Sequence, residues 1–176
     1  MQKWECWDLG DLTEFLQMCI VWKGHYIYID QTDYLWKVLQ CFRIENAKPI
    51  LTSLPTGYYP TKTSGLVNTA LQNHFQKVIG SLLYLMLGTQ PDISFAVTQL
   101  AHYIANPSQD HLNRVYYICH YLVSTQNYAL VYRGDSKLRV YACIDSNWTS
   151  NPDNHKLQIG YYVMITRGVF SWVSKT

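Results

Sequence analysis

The sequence predicts an α+β fold in two pieces, with helices in the middle of the chain and strands on either side. Three observations carry this. Apolar residues recur at i, i+3, i+4 spacing between Phe75 and Val123. β-branched and aromatic residues cluster around short glycine-containing turns at 19–29 and again at 128–173. A stretch rich in Pro, Gly, Ser and Thr separates the first strands from the helical run.

The elements follow in order. Asp8 to Leu16 reads as a short helix start. Cys19–Trp22 and Tyr26–Ile29, joined by Lys23-Gly24-His25, read as a hairpin. Gln31 to Arg43 places Leu35, Val38, Leu39 and Phe42 on one helical face, with Asp30 or Thr32 as its cap. Pro49, Pro55, Gly57, Pro60 and Gly65 exclude a helix or central strand and mark a linker. Phe75–Leu87 is an almost wholly apolar helix. Pro91 suits a first helical turn before Ile93, Ala96, Val97, Leu100, Ala101 and Ile104. Asn106-Pro107 ends that helix and Ser108 caps the next, whose buried stripe is Leu112, Val115, Cys119, Leu122 and Val123. From Asn127 the period becomes that of strands. Tyr128–Tyr132 and Arg139–Asp145 are separated by a Gly134-Asp135 turn. After a polar loop, Ile159–Thr166 and Val169–Val173 flank a turn at Arg167-Gly168. The units expected are 1–45, a linker at 46–72, a helical unit at 73–126 and a strand unit at 127–176.

Bulk composition narrows the function. The 176 residues are 48% hydrophobic and only 15% charged, which excludes a disordered chain and leaves a surface weakly protected against association. The net charge of +2 argues against a dedicated nucleic-acid binder, which carries a dense basic face. The five cysteines form no C-x-x-C pair, so a zinc ribbon is not expected. With no signal peptide they read as free thiols, giving an intracellular expectation, cytoplasmic or nuclear rather than secreted. No apolar run approaches the roughly 20 residues of a membrane span. The histidines are scattered: His111 and His120 are too far apart for an i, i+4 metal pair, so satisfied or surface histidines are expected. The 15 tyrosines are expected to serve packing more than base stacking.

Several phrases then carry a family resemblance. Asp8-Leu9-Gly10-Asp11-Leu12 with Phe15-Leu16, Gln31-Thr32-Asp33-Tyr34, and Lys48-Pro49 through Leu54-Pro55 come first. Ile79-Gly80-Ser81-Leu82-Leu83-Tyr84-Leu85 and Pro91-Asp92-Ile93-Ser94-Phe95-Ala96-Val97 follow. Then come Asn106-Pro107, His111 and Tyr121-Leu122 with Thr125, next Ile144-Asp145-Ser146-Asn147-Trp148, and last Gly160-Tyr161 and Ser171-Trp172-Val173-Ser174-Lys175. In this order and spacing they resemble the copia-type LTR retrotransposon Pol polyprotein, from the C-terminal part of its reverse transcriptase to the first strands of its ribonuclease H.

The resemblance implies a reverse-transcriptase palm edge, a helical thumb or connection, and a truncated ribonuclease H-like sheet. The parent activities are RNA-directed DNA polymerisation and cleavage of RNA–DNA hybrids. Both use Mg²⁺ ions clamped by several carboxylates. Asp145 matches the first ribonuclease H aspartate and is the one vestigial catalytic and metal-binding residue expected. The polymerase's Y-x-D-D turn is expected before Asp8 and the other ribonuclease H acids after Lys175. The chain alone is therefore expected to bind no Mg²⁺ and to be inactive. Lys23, Lys37, Arg43, Lys48, Lys77 and Arg114 are the candidate nucleic-acid contacts, for weak, sequence-independent binding of RNA–DNA hybrid or single strands. Other Pol fragments are alternative partners, the chain then being a domesticated interaction protein. Gln90, Ser124, Asn147 and Thr149 depart from the family's Arg, Gly, Asp and Ala, each by one transition-type base change, which suggests an ageing copy.

Overall fold

The structure, a computed structural model, describes residues 7, 10–134, 137–147 and 158–175. Asp8, Leu9, Asp135, Trp148, Thr149 and the polar loop through Lys156 lie outside the described residues.

From Glu14 the chain forms a meander of three strands, β1 (Glu14–Phe15), β2 (Met18–Lys23) and β3 (Tyr26–Asp30). Gly24, at φ +58°, is the first turn residue between β2 and β3, a backbone shape that an L side chain resists. Leu16 and Gln17, at φ +49° and +59°, reverse the chain between β1 and β2. The helix start expected over 8–16 is therefore absent from its described part. Ile20 N–H donates to the Thr13 carbonyl at 2.9 Å, so the segment's backbone bonds run to β2. Phe15 and Leu16 remain exposed, and no core contact favours a helix there.

Helix α1 (Thr32–Cys41) buries Leu35, Val38 and Leu39. Neither expected residue is the N-cap, which is Gln31; Asp30, one residue earlier, accepts Thr32 N–H on its Oδ1 at 3.0 Å. The 42–68 stretch holds no helix or strand, as its Pro and Gly content requires, but it is a fastened strap. Ser124 donates to the Ile50 carbonyl at 2.8 Å and Tyr103 to the Pro60 carbonyl at 2.7 Å. Leu54 and Tyr58 pack against the core.

Helix α2 (Thr69–Gly88) starts where the Asn68 side chain accepts Leu71 N–H. A 3₁₀ turn at Pro91–Ile93 leads into α3 (Ser94–Ala101), and α4 (Gln109–Thr125) follows. Ser108 and His111 close a capping box at the start of α4: each side chain bonds the other residue's backbone N–H. Phe75, Val78, Ile79, Leu82, Val97, Leu100, Val115, Ile118 and Leu122 have no exposed surface, so the core sits among α2, α3 and α4.

The first two strands after α4, expected on either side of the Gly134-Asp135 turn, do not pair with each other. β4 (Leu130–Arg133) returns to the first sheet and lies antiparallel to β3, Tyr28 opposite Val131. β5 (Val140–Asn147), β6 (Gln158–Ile165) and β7 (Gly168–Lys175) make a separate antiparallel sheet in that order. Its second turn sits one residue earlier than expected, on Thr166 and Arg167 at φ +47° and +70°. Gly168 instead begins β7, where an added Cβ would lie 2.4 Å from the Tyr132 ring. That glycine is needed for close approach of β7 to β4. Trp172 Nε1–H donates to the Met86 carbonyl at 2.8 Å, and Tyr132 O–H to the Val169 carbonyl at 2.6 Å. These bonds tie the second sheet to α2 and β4.

Candidate functional site

Asp145 lies near the end of β5, opposite Gly160 of β6, with its side chain exposed. Strand alternation puts it on one sheet face with Cys143, Tyr162 and Trp172. That face, Tyr59 and the start of α3 enclose a cavity of about 640 Å³ with largely apolar walls. Two carboxylates line it, Asp145 and Asp92. Asp92 is already engaged: Tyr121 O–H donates to its Oδ2 at 2.7 Å. Burial first, and that bond second, push the Tyr121 pKa up, so the hydroxyl stays a donor. Tyr162 is also shifted up, chiefly by its hydrogen bond with Cys143. Ser94 Oγ is buried in the cavity wall without a partner.

Among the described residues, no three His, Cys, Asp or Glu side chains are grouped to hold a metal ion. A Mg²⁺ ion asks for near-octahedral oxygen ligation, and a two-metal reaction for several carboxylates. One exposed aspartate and one hydrogen-bonded aspartate do not fit it, so no step through Mg²⁺ follows from these residues.

The basic candidates come from separate elements. Lys23 ends β2, its Nζ 5.5 Å from the Tyr28 ring centroid. Lys37 is exposed on α1, at a small hollow with Glu14 and Asp33. Arg43 follows Phe42, the C-cap of α1, which meets His74 edge-on at 5.8 Å, beside the part of α2 that carries Lys77. Lys48 is on the strap, and its carbonyl accepts from His120 Nδ1 at 3.1 Å. Arg114 is used within the fold: it pairs with Asp110 at 3.3 Å and stacks 4.6 Å from the Tyr58 ring centroid.

Other residues of the recognised phrases act as joints. Gln31 is buried where α1 begins, and its Oε1 accepts from Thr89 Oγ1 at 3.0 Å. Gly88 leaves the space for it, since a Cβ there would lie 2.2 Å from that oxygen. Tyr84 donates to the Leu16 carbonyl and meets Tyr34 edge-on at 4.8 Å. His111 rests on Tyr103 at 4.3 Å, and burial holds its pKa below the ordinary value. It is a satisfied core histidine, as its isolation in the sequence suggests. Gln31 and Tyr84 carry no chemical signature that marks them as joints; only their phrases single them out.

Over 96% of its length the chain is 32% identical to the retrovirus-related Pol polyprotein from transposon TNT 1-94 of Nicotiana tabacum. Over 85% it is 30% identical to that from transposon RE2 of Arabidopsis thaliana. Over most of its length the chain is similar to copia-type transposon Pol polyproteins. It spans 13% of the tobacco Pol polyprotein and 10% of the RE2 one. It is also 31% identical, over 47% of its length, to an uncharacterized mitochondrial protein of Arabidopsis thaliana, of which it covers 74%. No family model matches the chain, and no solved structure matches it significantly. The Pol phrases at Gln31, Tyr84, Asp92, His111, Tyr121 and Trp172 coincide with the hydrogen bonds and ring contacts that lock the elements together.

Proposed function

We propose that this Pol segment joins a reverse transcriptase to its ribonuclease H and acts as a scaffold without catalysing either reaction alone. In this reading β1–β4 and α1 are the palm edge, α2–α4 the thumb or connection, and β5–β7 the opening strands of the ribonuclease H sheet. The observation that carries it is the shared order of phrases and elements. The phrase around Asp145 falls on the first strand of an antiparallel three-stranded sheet, and the next two Pol phrases fall on the second and third. Asp145 is then one member of a metal-binding set, by itself too few oxygens for a pair of Mg²⁺ ions.

The test is incubation of the purified chain with Mg²⁺ and a hybrid labelled in its RNA strand. The expected result is no cleavage above that of Asp145→Asn. Cleavage that this variant abolishes overturns the reading.

A weaker activity accompanies it: sequence-independent contact with hybrid or single strands through the exposed Lys23, Lys37, Arg43, Lys48 and Lys77. A filter-binding salt titration should show weak affinity that falls steeply with salt. Salt-insensitive binding would contradict a phosphate-contact origin.

A further inference from the structure

The strap is fastened along its length by side chains, and a histidine serves toward each end. Near its start, His120 Nδ1 meets the Lys48 carbonyl at 3.1 Å. Near its finish, residues 60–65 are held by the turn between α3 and α4 and by the first turn of α4. Tyr103 O–H donates to the Pro60 carbonyl at 2.7 Å. Asn106 Nδ2 donates to the carbonyls of Thr63 and Gly65 at 3.4 and 3.3 Å. Between these bonds, the Thr61 backbone takes a hydrogen bond from the buried His111 ring.

The hydrogen on that ring can be placed. Ser108 N–H lies 3.1 Å from His111 Nδ1. A backbone N–H only donates, so Nδ1 presents its lone pair and accepts. A carbonyl only accepts, so the nitrogen on Thr61 is Nε2 and carries the hydrogen. Both nitrogens of the neutral ring are therefore committed, in opposite senses. His120 differs, because its bond is a donation from Nδ1 to a carbonyl. A neutral ring with the hydrogen on Nδ1 makes that bond, and so does a protonated ring.

We propose that His111 is a proton-operated latch, whose neutral Nε2–H form fastens strap residues 60–65 to the start of α4 and whose protonation lets that segment go while the His120 end stays fastened. A proton on Nδ1 sets two N–H groups against each other at 3.1 Å. The ring must turn, which takes Nε2 from the Thr61 carbonyl and the ring from Tyr103, now 4.3 Å away. It also removes one half of the capping box of α4. Burial is the largest influence on the ring and holds its pKa below the ordinary value. Asp110 of α4 and the Thr61 carbonyl of the strap act the other way and are outweighed. Tyr103, from the turn, gives its hydroxyl to Pro60. The latch is therefore closed at neutral pH and opens in acid. It does not depend on what the parent polyprotein does.

NMR of the full, isotope-labelled chain through a pH titration tests it. The His111 ring should show the Nε2–H tautomer at about pH 7.5. As the ring takes up its proton, backbone order parameters at 61–66 should fall from about 0.85 to below about 0.6. Those at 47–51 should not change. His111→Gln keeps a capping-box partner for Ser108 but has no titrating group, so 61–66 should lose their response to pH. Ser108→Ala keeps the backbone N–H that the ring accepts, so the response should persist, which separates ring protonation from a weakened start of α4. An Nδ1–H tautomer, a ring that stays neutral until the whole chain unfolds, or a segment that stays rigid while the ring titrates overturns the proposal. So does a response that survives in His111→Gln, is lost in Ser108→Ala, or loosens 47–51 in step with 61–66.

Discussion

The helical layer and the second sheet draw on similarly apolar sequence and end in different states. Phe75, Leu82 and Val115 lose all contact with solvent, each having helices of the α2–α4 layer around it. Ile144, Ile159 and Val173 are just as apolar and stay 75%, 44% and 37% exposed. The second sheet has one face on the helices, held by Trp172, and the face bearing Val140, Ile144 and Ile159 is left uncovered by the described residues. An apolar pattern at the right period specifies an element and which face wants covering. It does not supply the cover. Stability in this molecule is therefore concentrated in α2–α4.

Several substitutions sharpen that contrast. The largest effect is expected from Phe75→Ala, whose cavity should cost about 3–5 kcal/mol in urea unfolding. Gly88→Ala drives a Cβ into the buried Gln31 amide and should cost about 1–3 kcal/mol. Leu16→Asn with Gln17→Gly relieves two left-handed residues in the β1–β2 turn and should stabilise by about 1 kcal/mol.

His111 gives a smaller, pH-dependent term. Burial keeps its folded pKa below the ordinary 6.5, so the unfolded chain takes up the proton first. Its contribution is full above about pH 6.5, falls as the pH drops through the interval down to the folded pKa, and is flat below it. The urea midpoint of the parent chain should fall across that interval relative to His111→Asn, whose midpoint lacks this component. Ile144→Ala, on the uncovered face, should shift the stability of the monomer by less than about 0.5 kcal/mol.

What was legible in the sequence follows the same division. The helices were readable because a 3.6-residue period with Asn-Pro and Ser caps is a local signal, and α1 to α4 lie where that period runs. β2, β3, β5, β6 and β7 were readable from alternation around turns. Pairing was not, since β4 meets β3 across the whole helical layer and nothing in Leu130–Arg133 names a partner. The turns at Leu16-Gln17 and Thr166-Arg167 were hidden because neither pair is a usual left-handed former. Gly168 looked like a turn residue and is a packing residue, a distinction visible only beside Tyr132. At the site, Asp145 was legible from its phrase. Nothing in the sequence showed that Asp92 is tied to Tyr121 or that Arg114 is held by Asp110 and Tyr58.

Amide hydrogen exchange tests the uneven stability most directly. Val78 to Leu85 of α2 should exchange only through global opening. The amides of Val140, Ala142 and Ile144 should exchange at least about a hundredfold faster. Equal protection of β5 and α2 would contradict the account.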